Sequence, residues 1–264
     1  MGPKSLSAVG FSDYDQTMST EKTDALVIRQ TDFSETSKVL TFFTREFGKI
    51  SVIAKGARRL KGPFEAALDL LSVCRIVFIR KSTQGLDILT EAQLASRFKP
   101  AGRDMSRLYG GYYVAELLGD LTEEYDPHPL LFDDAVATLT ALAQDTHVDR
   151  NIVRFELGIL REIGQLPAFD ACIACGKPVT SSASYGFWVS QGGLICQSCR
   201  HEKFEQRLIH AGTIRLLQAL ADRDAAFERL TISPAQVKEI RHVVTAAISH
   251  ALGRRPKMSR YLHL

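Results

Sequence analysis

Short runs dense in Val, Ile, Leu and Phe, each about one strand long, follow a polar start in the first third of the chain. They fall at 24–30, 37–45, 50–55, 70–80 and 86–93. Turn residues separate them: Glu46-Phe47-Gly48-Lys49 predicts a hairpin between the second and third runs, and Ser82-Thr83-Gln84-Gly85 one between the last two. Five strands joined by short connections suit a small closed barrel. A five-stranded Greek-key barrel of the OB type and an SH3-like barrel both fit this count.

After Pro100 the pattern turns helical, with apolar positions recurring at spacings of three and four. Leu108, Tyr112, Ala115 and Leu118 share one helical face that continues towards Leu121. At that spacing Tyr109, Tyr112 and Tyr113, around Gly110-Gly111, read as core. Asp126-Pro127-His128-Pro129 ends this helix and starts another. Amphipathic stretches follow at 131–143 and 152–163, the latter closed by Gly164 as a C-terminal cap. A further helix spans 210–221. A last one begins at Ser233, a natural N-cap with Pro234 in the first turn, and carries the stripe Val237, Ile240, Val244, Ile248. The pattern predicts an α+β protein with three parts: a flexible extension at 1–22, a barrel at 23–99, and a helical domain at 100–264 interrupted by a cysteine module at about 170–203. No internal repeat is present.

Composition narrows the class. With 264 residues, 45% hydrophobic and 24% charged, the sequence excludes a disordered chain, a fibre and a disulfide-dense mini-protein. No apolar run approaches the ~18–20 uncharged residues of a membrane helix. The start lacks the apolar core of a secretion signal, and Pro3 and Leu6 exclude a myristoylation site. Met18 offers an alternative start, because M-S-T-E-K-T-D-A-L-V-I-R-Q runs straight into the first strand. A cytoplasmic, nucleoid-associated protein without a membrane partner is expected. The net charge of +3 conceals blocks. Residues 21–100 carry 14 basic and 9 acidic side chains, 101–170 carry 5 and 13, and 171–264 carry 13 and 6. Basic modules flanking an acidic one suggest separate partners, with a polyanion such as nucleic acid for the basic parts.

Four of the five cysteines form the pairs Cys172-x2-Cys175 and Cys196-x2-Cys199, the C-x2-C…C-x2-C spacing of a structural zinc site. Each pair bends into a tight knuckle, and the intervening stretch lets a hairpin set one knuckle opposite the other, with turns from Gly176 and Gly192-Gly193. Four thiolates leave no open coordination position, so the metal would hold the fold and activate no water. The rival reading, a redox couple or disulfides, suits two such pairs in a cytosolic chain less well. His201 reads as a surface residue and Cys74, inside an apolar strand, as a small buried hydrophobe.

The other constellation is basic. Lys55-Gly56-Ala57-Arg58-Arg59-Leu60-Lys61-Gly62 follows the third strand, and four cations on a glycine-flanked loop suit a phosphate backbone without reading base identity. Lys38, Arg45 and Lys49 lie on neighbouring strands and extend this track; Arg254, Arg255, Lys257 and Arg260 form a third basic group near the C-terminus. No phosphate-binding P-loop, dinucleotide fingerprint, zinc-protease or nucleophile-elbow motif is present, and no catalytic set emerges.

The order of these features resembles the DNA repair and recombination protein RecO family along nearly the whole chain after Thr23. The resemblance rests on A-L-V-I-R at 25–29, E-T-S-K-V-L-T at 35–41, T-R-E-F-G at 44–48 and A-K-G-A-R-R at 54–59. It continues through Y-V-A-E-L-L at 113–118, R-F-E-L at 154–157 and the cysteine quartet with its glycines. Gly62, where a serine is expected, and the N-terminal extension depart from the family pattern. The resemblance implies an OB barrel, a helical bundle and a zinc-finger-like insertion. It also implies binding of single- and double-stranded DNA, annealing of complementary strands without nucleotide hydrolysis, and partnership with RecR and with the C-terminal tail of the single-strand DNA-binding protein, so that recombinase is loaded at gaps. Lys38, Lys55, Arg58, Arg59 and Lys61 would then bind phosphates. Relatives without the cysteines imply a structural, not functional, metal. The rival classes are a nuclease or RNA-modifying enzyme that grips substrate with the barrel, and an assembly scaffold.

Overall fold

The first strand, β1 (Ser19–Asp32), is apolar without alternation across 25–28 because both of its faces are covered. Ala25 and Val27 point into the barrel interior, while Leu26 and Ile28 enter the core of the helical region. A computed structural model of the chain describes residues 18–58, 64, 67–81, 85–101, 105–144, 147–181, 183–200, 208–223 and 231–262. β1 starts inside the stretch expected to be a flexible extension: Ser19 to Lys22 are in register with Arg80 to Val77 of the fourth strand.

β2 (Lys38–Thr44), β3 (Gly48–Ala54), β4 (Val73–Arg80) and β5 (Asp87–Ser96) complete a closed barrel of order β1-β2-β3-β5-β4. The short parallel pairing of β3 with β5, through Val52 and Ile53 against Asp87 and Ile88, closes it in the OB arrangement and removes the SH3-like alternative. β4 begins three residues later than the apolar run, since Leu71 takes a left-handed conformation (φ 66°) and bonds back to the β1 bulge through Leu71 N–H to Val27 O at 2.9 Å. Cys74 is fully buried, donates to the Ala67 carbonyl, and burial pushes its thiol up to about 12.

Helices α1 (Met105–Leu121), α2 (Pro129–Gln144) and α3 (Val148–Glu162) follow, then α4 (Ala211–Ala221) and α5 (Pro234–Leu252) after the cysteine region. α5 starts with the expected cap: the Ser233 hydroxyl accepts from Gln236 N–H and the Gln236 side chain returns to Ser233 N–H. Tyr113 is buried, whereas Tyr109 and Tyr112 are half-buried, the former stacked on Tyr261 at 5.1 Å. In the α5 stripe Ile240, Val244 and Ile248 are buried and Val237 only partly so. No helix among the described residues is long and apolar enough to cross a membrane.

The α1–α2 connector lies along β3 and joins barrel to helices. Tyr125 N–H donates to Lys49 O at 3.0 Å, and Ser51 Oγ to Glu124 at 3.0 Å. The Tyr125 hydroxyl bonds to buried Asp87, with the Arg80 guanidinium 4.2 Å from its ring centre. Burial raises the Asp87 carboxyl above its ordinary pKa, against the Lys81 N–H that favours its charge. Gly48 makes the approach possible: it sits at φ 66°, and a Cβ there would stand 2.0 Å from the Asp126 carbonyl oxygen. Gly164, at φ 71° after α3, has open space around it. Gly164→Ala should therefore lose only backbone strain, about 1 kcal/mol, while Gly48→Ala should lose about 2–3 kcal/mol. Urea midpoints of the two variants check this; equal shifts would remove the connector as the reason for Gly48.

Candidate nucleic-acid interface and cysteine cluster

β6 (Ala168–Cys172), β7 (Ser184–Trp188), β8 (Gly193–Cys196) and β9 (Ile209–His210) form a second sheet of order β6-β8-β7-β9. Parallel pairing of β6 with β8 sets the two knuckles side by side, since Cys172 closes β6 and Cys196 closes β8. The knuckles match in form: Gly176 N–H returns to Cys172 O at 2.8 Å, and Cys199 and Arg200 N–H both return to Cys196 O at 3.1 Å. Gly176 and Gly192 take the left-handed backbone that these turns need. Gly193 does not serve as a turn; it is a strand residue, and a Cβ there would meet Ile173 at 2.3 Å.

The sulfurs of Cys172, Cys175, Cys196 and Cys199 lie within 4.8 Å of one another, with Cys175 and Cys196 at 3.8 Å. Four sulfurs bonded at ~2.3 Å around a tetrahedral ion stand about 3.8 Å apart, so the cluster has the size of a metal site. Their ionisation is uneven. Burial opposes a charge on Cys172, but the N–H groups of Cys196, Cys175 and Ala174 outweigh it and bring the thiol down to about 6. The neighbouring sulfurs of Cys175 and Cys196 accept from Cys199, and with burial they hold its proton up to about 12. A thiophilic divalent ion substitutes for protons that four crowded thiols share poorly, and the donor set fits one. Residues 201–203, with His201, lie outside the described residues.

The basic groups fare unevenly. Lys38 opens β2 directly beside Ala54 at the end of β3, so it lies next to Lys55 and Arg58 on the following loop. Lys55 is exposed; Lys38 donates to Gln30 at 3.2 Å and stands opposite Asp32 in the β1–β2 register. Arg58 ties two loops together: its N–H donates to Thr36 O at 3.1 Å, Nη1 donates to Ser34 O at 2.9 Å, and Nε is 3.7 Å from Asp32. Arg59 and Lys61 lie outside the described residues. Arg45 and Lys49 do not extend the track. Arg45 makes a two-pronged contact with Asp133 of α2, both prongs at 3.0 Å, and Lys49 Nζ donates to the carbonyls of Gly119 and Thr122 at the end of α1. The carbonyl end of a helix attracts a cation, so Lys49 is a helix-terminal partner. Of the C-terminal group, Arg254 pairs with Glu116 and Asp120 of α1 and Arg255 bonds Ser259, while Lys257 and Arg260 are exposed.

A family model described as Recombination protein O N terminal matches residues 18–98, and one described as Recombination protein O C terminal matches residues 102–260. The chain belongs to the RecO family. The DNA repair protein RecO of Rhodopirellula baltica is 36% identical, over 90% of this chain and 97% of its own. Those of Anaeromyxobacter dehalogenans strain 2CP-1 and Bacillus pumilus are 32% and 29% identical, over 93% and 84% of this chain and 96% and 86% of theirs. The chain is thus a RecO-family DNA repair protein, as the A-K-G-A-R-R segment and the cysteine quartet anticipate. Beyond those motifs, this RecO-family chain places at the same end of the barrel one residue that the basic pattern does not single out. Phe33, between β1 and β2, is 63% exposed. An apolar residue flanked by Asp32, Ser34 and Glu35 is the only sequence signal of it.

Proposed function

We propose that the chain binds single- and double-stranded DNA through the barrel end carrying Lys38, Lys55 and Arg58, together with Arg59 and Lys61 of the sequence that follows, and anneals complementary strands without nucleotide hydrolysis. The carrying observation is the convergence of Lys38, Lys55 and Arg58 at one end of an OB barrel, beside the turns that border the ligand face of such barrels. Two strands repel each other; a cationic surface that holds both lowers that repulsion and raises their local concentration. No bond is made or broken in this scheme, and RecR and the C-terminal tail of the single-strand DNA-binding protein act as partners in loading recombinase. A cleft of about 280 Å³ between α2, α3 and α4 supports the tail as a ligand: Ala137, Ala141, Phe155 and Leu220 offer an apolar wall, and Arg154 and Arg161 a cationic edge. Zinc in the cysteine cluster holds the second sheet and takes no part in the chemistry.

Lys55→Ala combined with Arg59→Ala should weaken binding to all sequences about equally. Because two phosphates then go without a cation, the slope of log affinity against log salt for a single strand should become shallower by about 1.4. An unchanged slope would remove this loop from the interface. Annealing of complementary oligonucleotides in EDTA, with neither strand cut, is the matching activity; metal-dependent cleavage would replace this reading with the nuclease one.

A further inference from the structure

We infer that Phe33 is a stacking platform for an unpaired base, which makes this end of the barrel a site for single-stranded nucleic acid in preference to duplex. The inference rests on the barrel-end reading above and adds a strand preference to it. Scattered exposed apolar side chains are ordinary on proteins. Phe33 is set apart by where it sits and by how firmly it is held. The turn between β1 and β2 borders the ligand face of an OB barrel. Here that turn is closed by Phe33 N–H to Ser37 O at 3.1 Å and Ser37 N–H to Ser34 Oγ at 3.2 Å, and Arg58 clamps it from the neighbouring loop. A ring at 63% exposure is thereby presented on an ordered backbone, so little freedom remains to be lost when a base covers it.

Charge alone does not give the preference. Against Lys38, Lys55 and Arg58 the same turn sets Asp32, 58% exposed at its side chain, and exposed Glu35. Phosphates are common to a duplex and a single strand, so these charges do not select the single strand. What differs is the base: in a duplex both faces are covered by neighbours, whereas an unpaired base has a face free for a phenyl ring. A strand whose phosphates lie along Lys38, Lys55 and Arg58 brings its bases to Phe33, directly beside the Asp32 and Ser34 partners of Arg58.

The test uses the full chain with an unstructured oligothymidylate and a blunt-ended duplex, both followed by fluorescence anisotropy at one salt concentration. Phe33→Ala should weaken oligothymidylate binding about tenfold while duplex binding stays within about twofold; Phe33→Tyr should retain the parent affinity. The salt slope of Phe33→Ala should equal that of the parent, unlike that of the Lys55→Ala, Arg59→Ala protein. Phe33→Trp should add an emission that oligothymidylate quenches and duplex does not. Equal losses on both ligands, or no loss on either, would overturn the inference. If Phe33→Ala binds normally while the lysine–arginine variant is impaired, only the stacking role fails, and the ring is left for a protein contact. If neither variant is impaired, the barrel-end reading fails with it.

Discussion

Replacing Cys172 with serine, or treating the protein with a strong metal chelator, should unfold the second sheet while the barrel stays intact. In comparable structural sites, metal binding supplies on the order of 10 kcal/mol of folding free energy, so this is the largest effect expected of any change to the chain. The reason for its reach is packing. Phe169, Tyr185, Phe187, Leu194 and Ile209 of the second sheet belong to the same core as α4 and α5, whereas the barrel interior is a separate cluster. The only tryptophan, Trp188, ends β7 and reports on that sheet. Metal removal should therefore shift Trp188 emission and add an early step to thermal unfolding, and oligonucleotide binding by the barrel should persist. Metal analysis should find one ion per parent chain and none in Cys172→Ser, with Cys74→Ala unaffected. An unaltered Trp188 spectrum and melting curve after complete metal loss would show that the knuckles hold themselves.

What the sequence makes legible follows from the range over which each feature is encoded. The cysteine quartet is local twice over, so ligand spacing alone announces it. The five barrel strands are visible because their connections are short and rich in turn residues. Their order is not visible, because closure depends on the parallel pairing of Val52 and Ile53 with Asp87 and Ile88, and no local pattern announces that. The charge blocks mislead in an instructive way. A basic front and tail around an acidic middle look like modules with separate partners, yet Arg45 meets Asp133, Arg254 meets Glu116 and Asp120, and Arg223 meets Asp134 and Glu162. Part of that asymmetry is the chain binding itself. Spacing along a strand says which face a lysine shares; it cannot say that the end of α1 will be packed over Lys49. Phe33 escapes for the opposite reason, since a lone phenylalanine in a polar turn has the same letter whether it turns inward or out.

Glu156→Leu should destabilise the helical domain by about 3–5 kcal/mol, read as a lower urea midpoint. Glu156 is wholly buried on α3, where it accepts from the Tyr113 hydroxyl of α1 at 2.6 Å and from both terminal nitrogens of Arg241 on α5. Burial works against the Arg241 charge, and the carboxylate beside it outweighs that, so its pKa stands above the ordinary value. The same carboxylate, with burial as the larger cause, holds the Tyr113 proton far above its usual range. Leucine in place of Glu156 leaves a buried guanidinium without its carboxylate, with Thr245, the Tyr113 hydroxyl and Asp149 nearby, and leaves that hydroxyl without its acceptor. The loss therefore belongs to the orphaned partners more than to the missing attraction. Glu156→Leu combined with Arg241→Met and Tyr113→Phe removes the orphans along with the pair, and well-packed apolar replacements of buried ion pairs are often neutral. That triple variant should recover most of the lost stability. A triple variant as unstable as Glu156→Leu would mean that the Tyr113–Glu156–Arg241 network stabilises the bundle beyond what apolar packing can replace, and that α1, α3 and α5 depend on it to stay together.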